Sequence, residues 1–108
     1  MNFLVKATPT GALLDLSAGD RDELMVGERE VAAALIAGGA IAWMWRLPGT
    51  STSLSIWNAE SAEDLDAHLK TLPLFPYNDV EVTALAPHPA FPSSLRAAPT
   101  VDAVSVES

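Results

Sequence analysis

Four segments of the chain carry the apolar patterning of β-strands. Their predicted ranges are residues 2–8, 41–47, 51–57 and 79–86. Three of them alternate apolar and polar residues with a period of two, which is typical of half-buried strands. The other, residues 41–47, is apolar on both faces and therefore predicts a buried central strand. Within it, a strict period of two places Ile41, Trp43, Trp45 and Leu47 on one face and Met44 on the other.

Apolar residues recur at helical spacing in two further segments, residues 21–37 and residues 61–72. Ser17 or Asp20 is available to cap the start of the first helix. In the second helix, Ser61 and Asp64 resemble a capping box, with Asp in place of the usual Glu. The stretch between the first strand and the first helix is predicted to be a loop.

The predicted order β-α-β-β-α-β is that of the α+β class known as the ferredoxin-like split β-α-β fold. This fold is an antiparallel sheet with both helices on one face. The second strand carries large apolar residues on both faces, so full exposure of the sheet face without helices to water is unfavourable. A second subunit is therefore expected to cover this face. We expect one domain over residues 1–88. Residues 89–108 are rich in Pro, Ala and Ser and predict an arm or a disordered tail.

Composition excludes several functional classes. The formal net charge is −8, from 14 acidic and 6 basic residues, so nucleic-acid and anionic-membrane binding are not expected. The chain has no Cys and two His, which argues against thiolate chemistry and metal sites. The first residues lack the pattern of a signal peptide, so the expected location is the cytoplasm. The expected partners are a small-molecule substrate and further copies of the chain.

One carboxylate interrupts the apolar stripe of the first predicted helix. At helical spacing the stripe consists of Leu24, Glu28, Val31 and Leu35. Burial raises the pKa of a carboxyl group, which is how a general base is tuned towards neutral pH. Glu28 is therefore a candidate catalytic base. The alternative is that Glu28 lies at the edge of the stripe and reaches water or Arg46.

A row of hydroxyls follows one face of the third predicted strand. Ser51, Ser53 and Ser55 alternate with Thr52, Leu54 and Ile56. If this face lines a cavity, the hydroxyls can hydrogen-bond a carbonyl or carboxylate. The alternative is that the row is the solvated side of the strand.

Few cations are available to bind an anionic ligand. Arg46, at the end of a buried strand, can bind a carboxylate in a two-pronged way or stack on an indole. The alternative is a structural ion pair with Asp79 or Glu81. Lys6 is the other candidate cation. His88, between two prolines, lies either in a pocket or in the tail.

The chain has no nucleophile elbow, phosphate-binding glycine loop or dinucleotide fingerprint. No group of carboxylates and histidines has the spacing of a metal site. The expected chemistry is therefore proton transfer without a cofactor.

Two segments resemble the muconolactone delta-isomerase family. They are WMWRLPG at residues 43–49 and LPLFPYNDVEV at residues 72–82, with His88-Pro89 beyond. The similarity runs without a gap from about Arg21 to Pro89. It implies a ferredoxin-like fold whose sheets pair face to face as a dimeric α+β barrel, and larger rings, commonly decamers. It also implies a cofactor-free proton shift that converts muconolactone to an enol-lactone in aromatic catabolism.

The same resemblance assigns roles to particular residues. The proton-transferring glutamate of the family corresponds to Glu28. The tyrosine and asparagine of the family's pocket correspond to Ser51 and Ser53, whose shorter side chains leave a larger cavity and imply a bulkier substrate. The leading hypothesis is an isomerase in which Glu28 moves a proton, Ser51 and Ser53 orient the substrate, and Arg46 or Lys6 offsets its charge. The alternative is a non-catalytic oligomeric protein that binds a small ligand or serves as a partner subunit.

Overall fold

The computed structural model describes residues 1–91. Its elements are β1 (Asn2–Pro9), α1 (Gly11–Leu14), α2 (Ala18–Ala37), β2 (Ile41–Arg46), β3 (Ser53–Asn58), α3 (Ala62–Leu69) and β4 (Asn78–Leu85), with a 3₁₀ turn at Phe75–Tyr77. Within the described residues, no helix combines the length and the apolar character needed to cross a bilayer. The tail predicted for residues 89–108 lies, from residue 92 onward, outside the described residues.

The four strands form one antiparallel sheet in the order β2-β3-β1-β4. The core lies between one face of this sheet and the helices. It consists of Phe3, Val5, Ile41, Trp57, Ala59, Leu65 and Leu69, with Leu35 of α2 packed against it. Because α2 and α3 both contact this cluster, both long helices cover the same face. The predicted α+β fold with an antiparallel sheet is confirmed.

Both long helices begin at serine caps. The Ser17 hydroxyl accepts a hydrogen bond from Asp20 N at 3.1 Å, so α2 begins at Ala18, three residues before the predicted start. The Ser61 hydroxyl accepts from Asp64 N at 3.1 Å, while the Asp64 carboxylate accepts from Glu60 N at 3.0 Å. Each cap satisfies a backbone N–H that would otherwise lack a partner. Ser61 is confirmed as the cap of α3, although the Asp64 carboxylate accepts from the residue before the cap rather than from Ser61 N as in a capping box, and Ser17 is the cap of α2.

The segment after β1 differs from the predicted loop. Residues Gly11–Leu14 form α1, a single helical turn with no buried residue. Its start is held by Thr10, whose N–H and hydroxyl both donate to Tyr77 O, at 2.9 and 2.8 Å. A turn of four residues is too short to show helical periodicity, which is why the sequence pattern missed it.

A β-bulge near the start of β2 changes the faces of its side chains. Ile41 pairs with Trp57, but Trp43 pairs with Ile56, so the register shifts by one residue between them. Such a shift moves the following side chains to the opposite face. The prediction that Ile41 shares a face with Trp43 and Trp45 is therefore wrong: Ile41 is buried beneath the helices, and the two indoles stack on the other side with their ring centroids 5.5 Å apart.

The sheet face opposite the helices, called here the open face, carries apolar residues on all four strands. They are Leu4, Trp43, Trp45, Leu54, Ile56 and Leu85, which the strand pairing places on one side. Trp45 is 49% exposed. Lys6 and Glu81 lie opposite each other on this face, towards the β4 edge.

Candidate active site

A cleft of about 610 Å³ opens at one end of the sheet, where β1 and β2 end and β3 and β4 begin. The pairing of Arg46 with Ser53 and of Pro9 with Asn78 brings these four strand ends together. The loop after β1, the first half of α2 and the segment before β4 complete the walls. The fold thus gathers residues that are distant in sequence into one site.

The lining of the cleft divides into a polar and an apolar wall. The polar wall includes Thr8, Arg46, Ser51, Thr52, Ser53 and Asn78, and the apolar wall consists of Leu13, Leu14, Met25 and Leu74. Among residues 1–91, Arg46 is the one charged residue in the lining, and no carboxylate of this part of the chain lines the cleft. Such a lining is suited to an anionic ligand that also has an apolar part.

Arg46 and Ser53 form the most defined polar feature of this cleft. They are directly opposite on β2 and β3, a position that brings Cβ atoms to about 4.5–5.5 Å. Within residues 1–91, the side-chain ion pairs lie at α3, between His68 and Asp64 and between Lys70 and Asp66. The predicted alternative, in which Arg46 pairs with Asp79 or Glu81, is wrong. The guanidinium is available to a ligand.

The serine row on β3 faces the helices rather than solvent. Ser53 and Ser55 lie on the same face as Val5 and Trp57. Ser55 is buried, and its hydroxyl accepts from Trp57 Nε1 at 2.8 Å and donates to Val5 O at 3.4 Å. Ser55 is therefore a core residue, while Ser53 and the exposed Ser51 line the cleft. The solvated-face alternative is wrong for Ser53 and Ser55.

Glu28 lies beside the cleft, on α2, and is half-buried. Its Oε1 accepts a hydrogen bond from Leu74 N at 3.0 Å. Met25, one turn earlier on α2, and Leu74 both line the cleft, and Glu28 adjoins it through its hydrogen bond with Leu74 without being one of the lining residues. The predicted alternative contact with Arg46 is not made. Glu28 instead joins α2 to the segment that precedes β4.

The surroundings of Glu28 perturb its acidity. Burial raises the pKa of the carboxyl group above its usual value, and the hydrogen bond from Leu74 N opposes that rise. Desolvation is the larger effect because a carboxylate loses more by leaving water than one backbone donor restores. A raised pKa in a carboxyl beside a cleft is the property expected of a general base.

Two residues predicted for the site are elsewhere in the chain. Lys6 lies on the open face, paired in register with Leu54 and Glu81. His88 follows β4 at the opposite end of the sheet from the cleft, where its Nδ1 accepts from Ala90 N at 3.0 Å. Within one chain the structure therefore brings together Arg46, Ser51 and Ser53, with Glu28 alongside, but neither Lys6 nor His88.

Sequence reasoning missed several cleft residues. Thr8 and Thr52 place their hydroxyl oxygens 3.4 Å apart, and Asn78 begins β4 at the same end. All three lie at strand termini that meet at one end of a split β-α-β sheet, which is the signal that could have found them. In the described residues, no group of three or more His, Cys, Asp or Glu side chains is arranged to hold a metal ion.

Comparison with known proteins places these features in a family. The sequence profile described as muconolactone delta-isomerase matches residues 1–91. This chain belongs to the muconolactone delta-isomerase family. The resemblance predicted from residues 43–49 and 72–82 is confirmed, and the family places the chain among isomerases.

Relatives and a solved structure of the family agree. The muconolactone delta-isomerase of Pseudomonas putida is 34% identical over 90 residues, covering 83% of this chain and 93% of its own. That of Rhodococcus opacus is 36% identical over 74 residues, covering 68% and 80%. A crystal structure of muconolactone isomerase matches with a TM-score of 0.75 at 35% identity, covering 84% of this chain and 94% of that chain. The isomerase fold therefore extends over most of residues 1–91.

Proposed function

We propose that this chain is an isomerase that moves a carbon–carbon double bond within a small unsaturated lactone bearing a carboxylate, without a cofactor. The observation that carries the proposal is Glu28, a half-buried carboxyl with a raised pKa beside a cleft in which Arg46 is the single charged lining residue among residues 1–91. We assign the activity to residues 1–88. Membership of the isomerase family supports the reaction class.

In the proposed reaction Glu28 carries one proton between two carbons of the substrate. Its Oε1 is held by Leu74 N, and in residues 1–91 its Oε2 accepts no hydrogen bond. Oε2 removes the proton from the ring carbon that bears the carboxylate arm, and the electron pair enters the conjugated system as a dienolate. The same carboxyl then returns the proton to the carbon next to the lactone carbonyl. The double bond has moved, and no atom is gained or lost.

The polar wall has two tasks in this reaction. The Arg46 guanidinium binds the carboxylate arm, since an arginine–carboxylate pair is charge-assisted and can be bidentate. Ser51 and Ser53 donate hydrogen bonds to substrate oxygens, including the lactone carbonyl on which negative charge develops. Lys6 and His88 have no role in this proposal because Lys6 lies on the open face and His88 follows β4 at the opposite end of the sheet from the cleft.

The decisive experiment compares turnover by the wild type and Glu28→Gln. Muconolactone and ring-substituted analogues are incubated with each protein, and the change in ultraviolet absorbance is followed. Gln keeps an oxygen that accepts from Leu74 N but removes the base, so kcat should fall by about 10²–10⁴-fold. Glu30→Gln, an exposed residue on the same helix, is the matched control and should leave kcat unchanged.

Either of two results would contradict the proposed mechanism. If Glu28→Gln retains most of the wild-type turnover, another group carries the proton. If the wild type converts none of the lactones but binds them, the chain is a ligand-binding member of the family.

We also propose that two copies pack open face to open face, as a dimeric α+β barrel. The apolar area of this face, including the stacked Trp43 and Trp45, supports the proposal because such patches mark interfaces. Size-exclusion chromatography with light scattering should give at least the mass of a dimer, and Trp45→Ser should shift it towards the monomer. Met44→Ser is the matched control, since Met44 is 47% exposed on the other face of the same strand. A wild-type monomer would refute the proposal.

A further inference from the structure

The apolar wall of the cleft is larger and more exposed than a small lactone requires. Leu14 is 72% exposed and Met25 is 37% exposed, yet both line the cleft with Leu13 and Leu74. Leaving large apolar side chains in water is unfavourable, and covering them with an apolar part of a ligand is favourable. Their presence opposite a polar wall indicates a ligand with an apolar part.

The volume of the cleft also indicates a ligand larger than an unsubstituted lactone acid. Clefts of about 300–1,000 Å³ hold drug-sized ligands and bury most of their surface. At about 610 Å³ this cleft lies within that range, whereas a lactone with only a carboxylate arm is several times smaller. A small acid bound at Arg46 and Ser53 would therefore leave the apolar wall uncovered.

We propose that the cleft selects lactone acids carrying an alkyl or aryl substituent on the ring, with the carboxylate on the Arg46–Ser53 pair and the substituent against Leu14, Met25 and Leu74. This inference rests on the proposed function for the class of ring compound, and it adds the specificity. Leu14 and Met25 are then specificity-determining residues. In this proposal α1 places Leu13 and Leu14 against the ligand, and α1 has no buried residue in the chain itself.

The test measures binding rather than turnover, so that it remains informative if the isomerase activity fails. The probes are two saturated, unreactive lactone acids, one unsubstituted and one with a propyl group on the ring, and their Kd values are measured by isothermal titration calorimetry. Each fully buried methylene tightens binding about fourfold. With the substituent about half covered in an open cleft, we expect the propyl compound to bind about tenfold tighter.

Substitutions in the apolar wall test whether Leu14 and Met25 cause the preference for the propyl compound. Leu14→Ser and Met25→Ser should each reduce the preference for the propyl compound to about threefold or less. Ile36→Ser and Val26→Ser are matched controls, since both residues are 51% exposed on α2 and neither lines the cleft. They should keep the tenfold preference. Circular dichroism verifies that all four variants are folded.

Three results would overturn the proposal: equal affinity of the wild type for the two compounds, a preference that survives both Leu14→Ser and Met25→Ser, or no measurable binding of either compound. Turnover of the corresponding unsaturated lactones is recorded in parallel. A wild type that binds with the expected preference but turns over neither lactone would refute the isomerase and retain the substrate-binding site.

Discussion

Replacing Arg46 tests how this chain recognises an acidic substrate. The guanidinium lines the cleft opposite Ser53 and makes no ion pair within residues 1–91. Arg46→Gln therefore removes a cation without leaving a buried carboxylate unpaired, and the fold should be unaffected. The variant loses only the proposed ion pair between Arg46 and the substrate carboxylate. This carboxylate keeps its charge throughout the proposed proton transfer.

The expected magnitude follows from the exposure of Arg46. A hydrogen bond to a charged group contributes about 1.5–3 kcal/mol, or roughly 10–150-fold in affinity. Since Arg46 is exposed, solvent and salt screen the interaction and the lower end applies. We expect KM to rise about 10–30-fold. The change in kcat should be less than about threefold, because an interaction equally strong in the ground and transition states lowers KM without raising kcat.

Steady-state kinetics on the lactone acid that the wild type converts best measures both constants. Arg46→Lys should give an intermediate KM, because lysine keeps the charge but not the two-pronged geometry. Arg29→Gln, an exposed cation on α2 outside the cleft, controls for the overall change in charge. An unchanged KM for Arg46→Gln, or an equal rise for Arg29→Gln, would show that Arg46 does not bind the substrate carboxylate.

Two further predictions concern stability. Ser55→Ala leaves the buried Trp57 Nε1 without its acceptor and should lower the free energy of unfolding by about 1–3 kcal/mol, lowering Tm by at least about 4 °C in a circular-dichroism melt; the exposed Ser51→Ala should not, and equal melting of the two would refute the assignment. For Glu28, the raised pKa means that the folded state holds the proton more tightly than the unfolded state, so its contribution to stability is full below the ordinary pKa and is lost as pH rises through the raised one. The wild type should therefore lose stability from pH 4 to pH 7 relative to Glu28→Gln, which does not titrate, so that Tm of the variant minus Tm of the wild type becomes more positive. A difference in Tm that is independent of pH would contradict this prediction.

The elements of the fold were largely predictable because they depend on local patterns. Period-two alternation and helix capping involve residues only a few positions apart, so the strands and the cap at Ser61 follow from the sequence, while the choice of Ser17 over Asp20 for α2 came from the structure. The exceptions arise where the determinant is not local. The turn at Gly11–Leu14 is held by Thr10 donating to Tyr77 O, a partner 67 residues away. The bulge after Ile41 appears only when β2 pairs with β3.

The site was predictable in part, for the same reason. Glu28 stood out because a charged residue in an apolar stripe is visible from spacing alone. Arg46, Ser51 and Ser53 were found as chemistry-bearing residues near strand ends, but nothing local showed that they share a cleft. Lys6 was a reasonable candidate by charge, and the strand register places it on the open face instead.

The sequence by itself determined the fold class, the cap at Ser61, the family and the candidate base, because patterning, capping and motif spacing are properties of neighbouring residues. Only the tertiary structure decided which residues meet. It placed Ile41 and the two stacked indoles on opposite faces, made Ser55 a core residue and Ser53 a cleft residue, and tied Glu28 to Leu74 N rather than to Arg46. These outcomes depend on strand register and on contacts between distant segments, and a difference of one residue in register moves a side chain from the core to the opposite face.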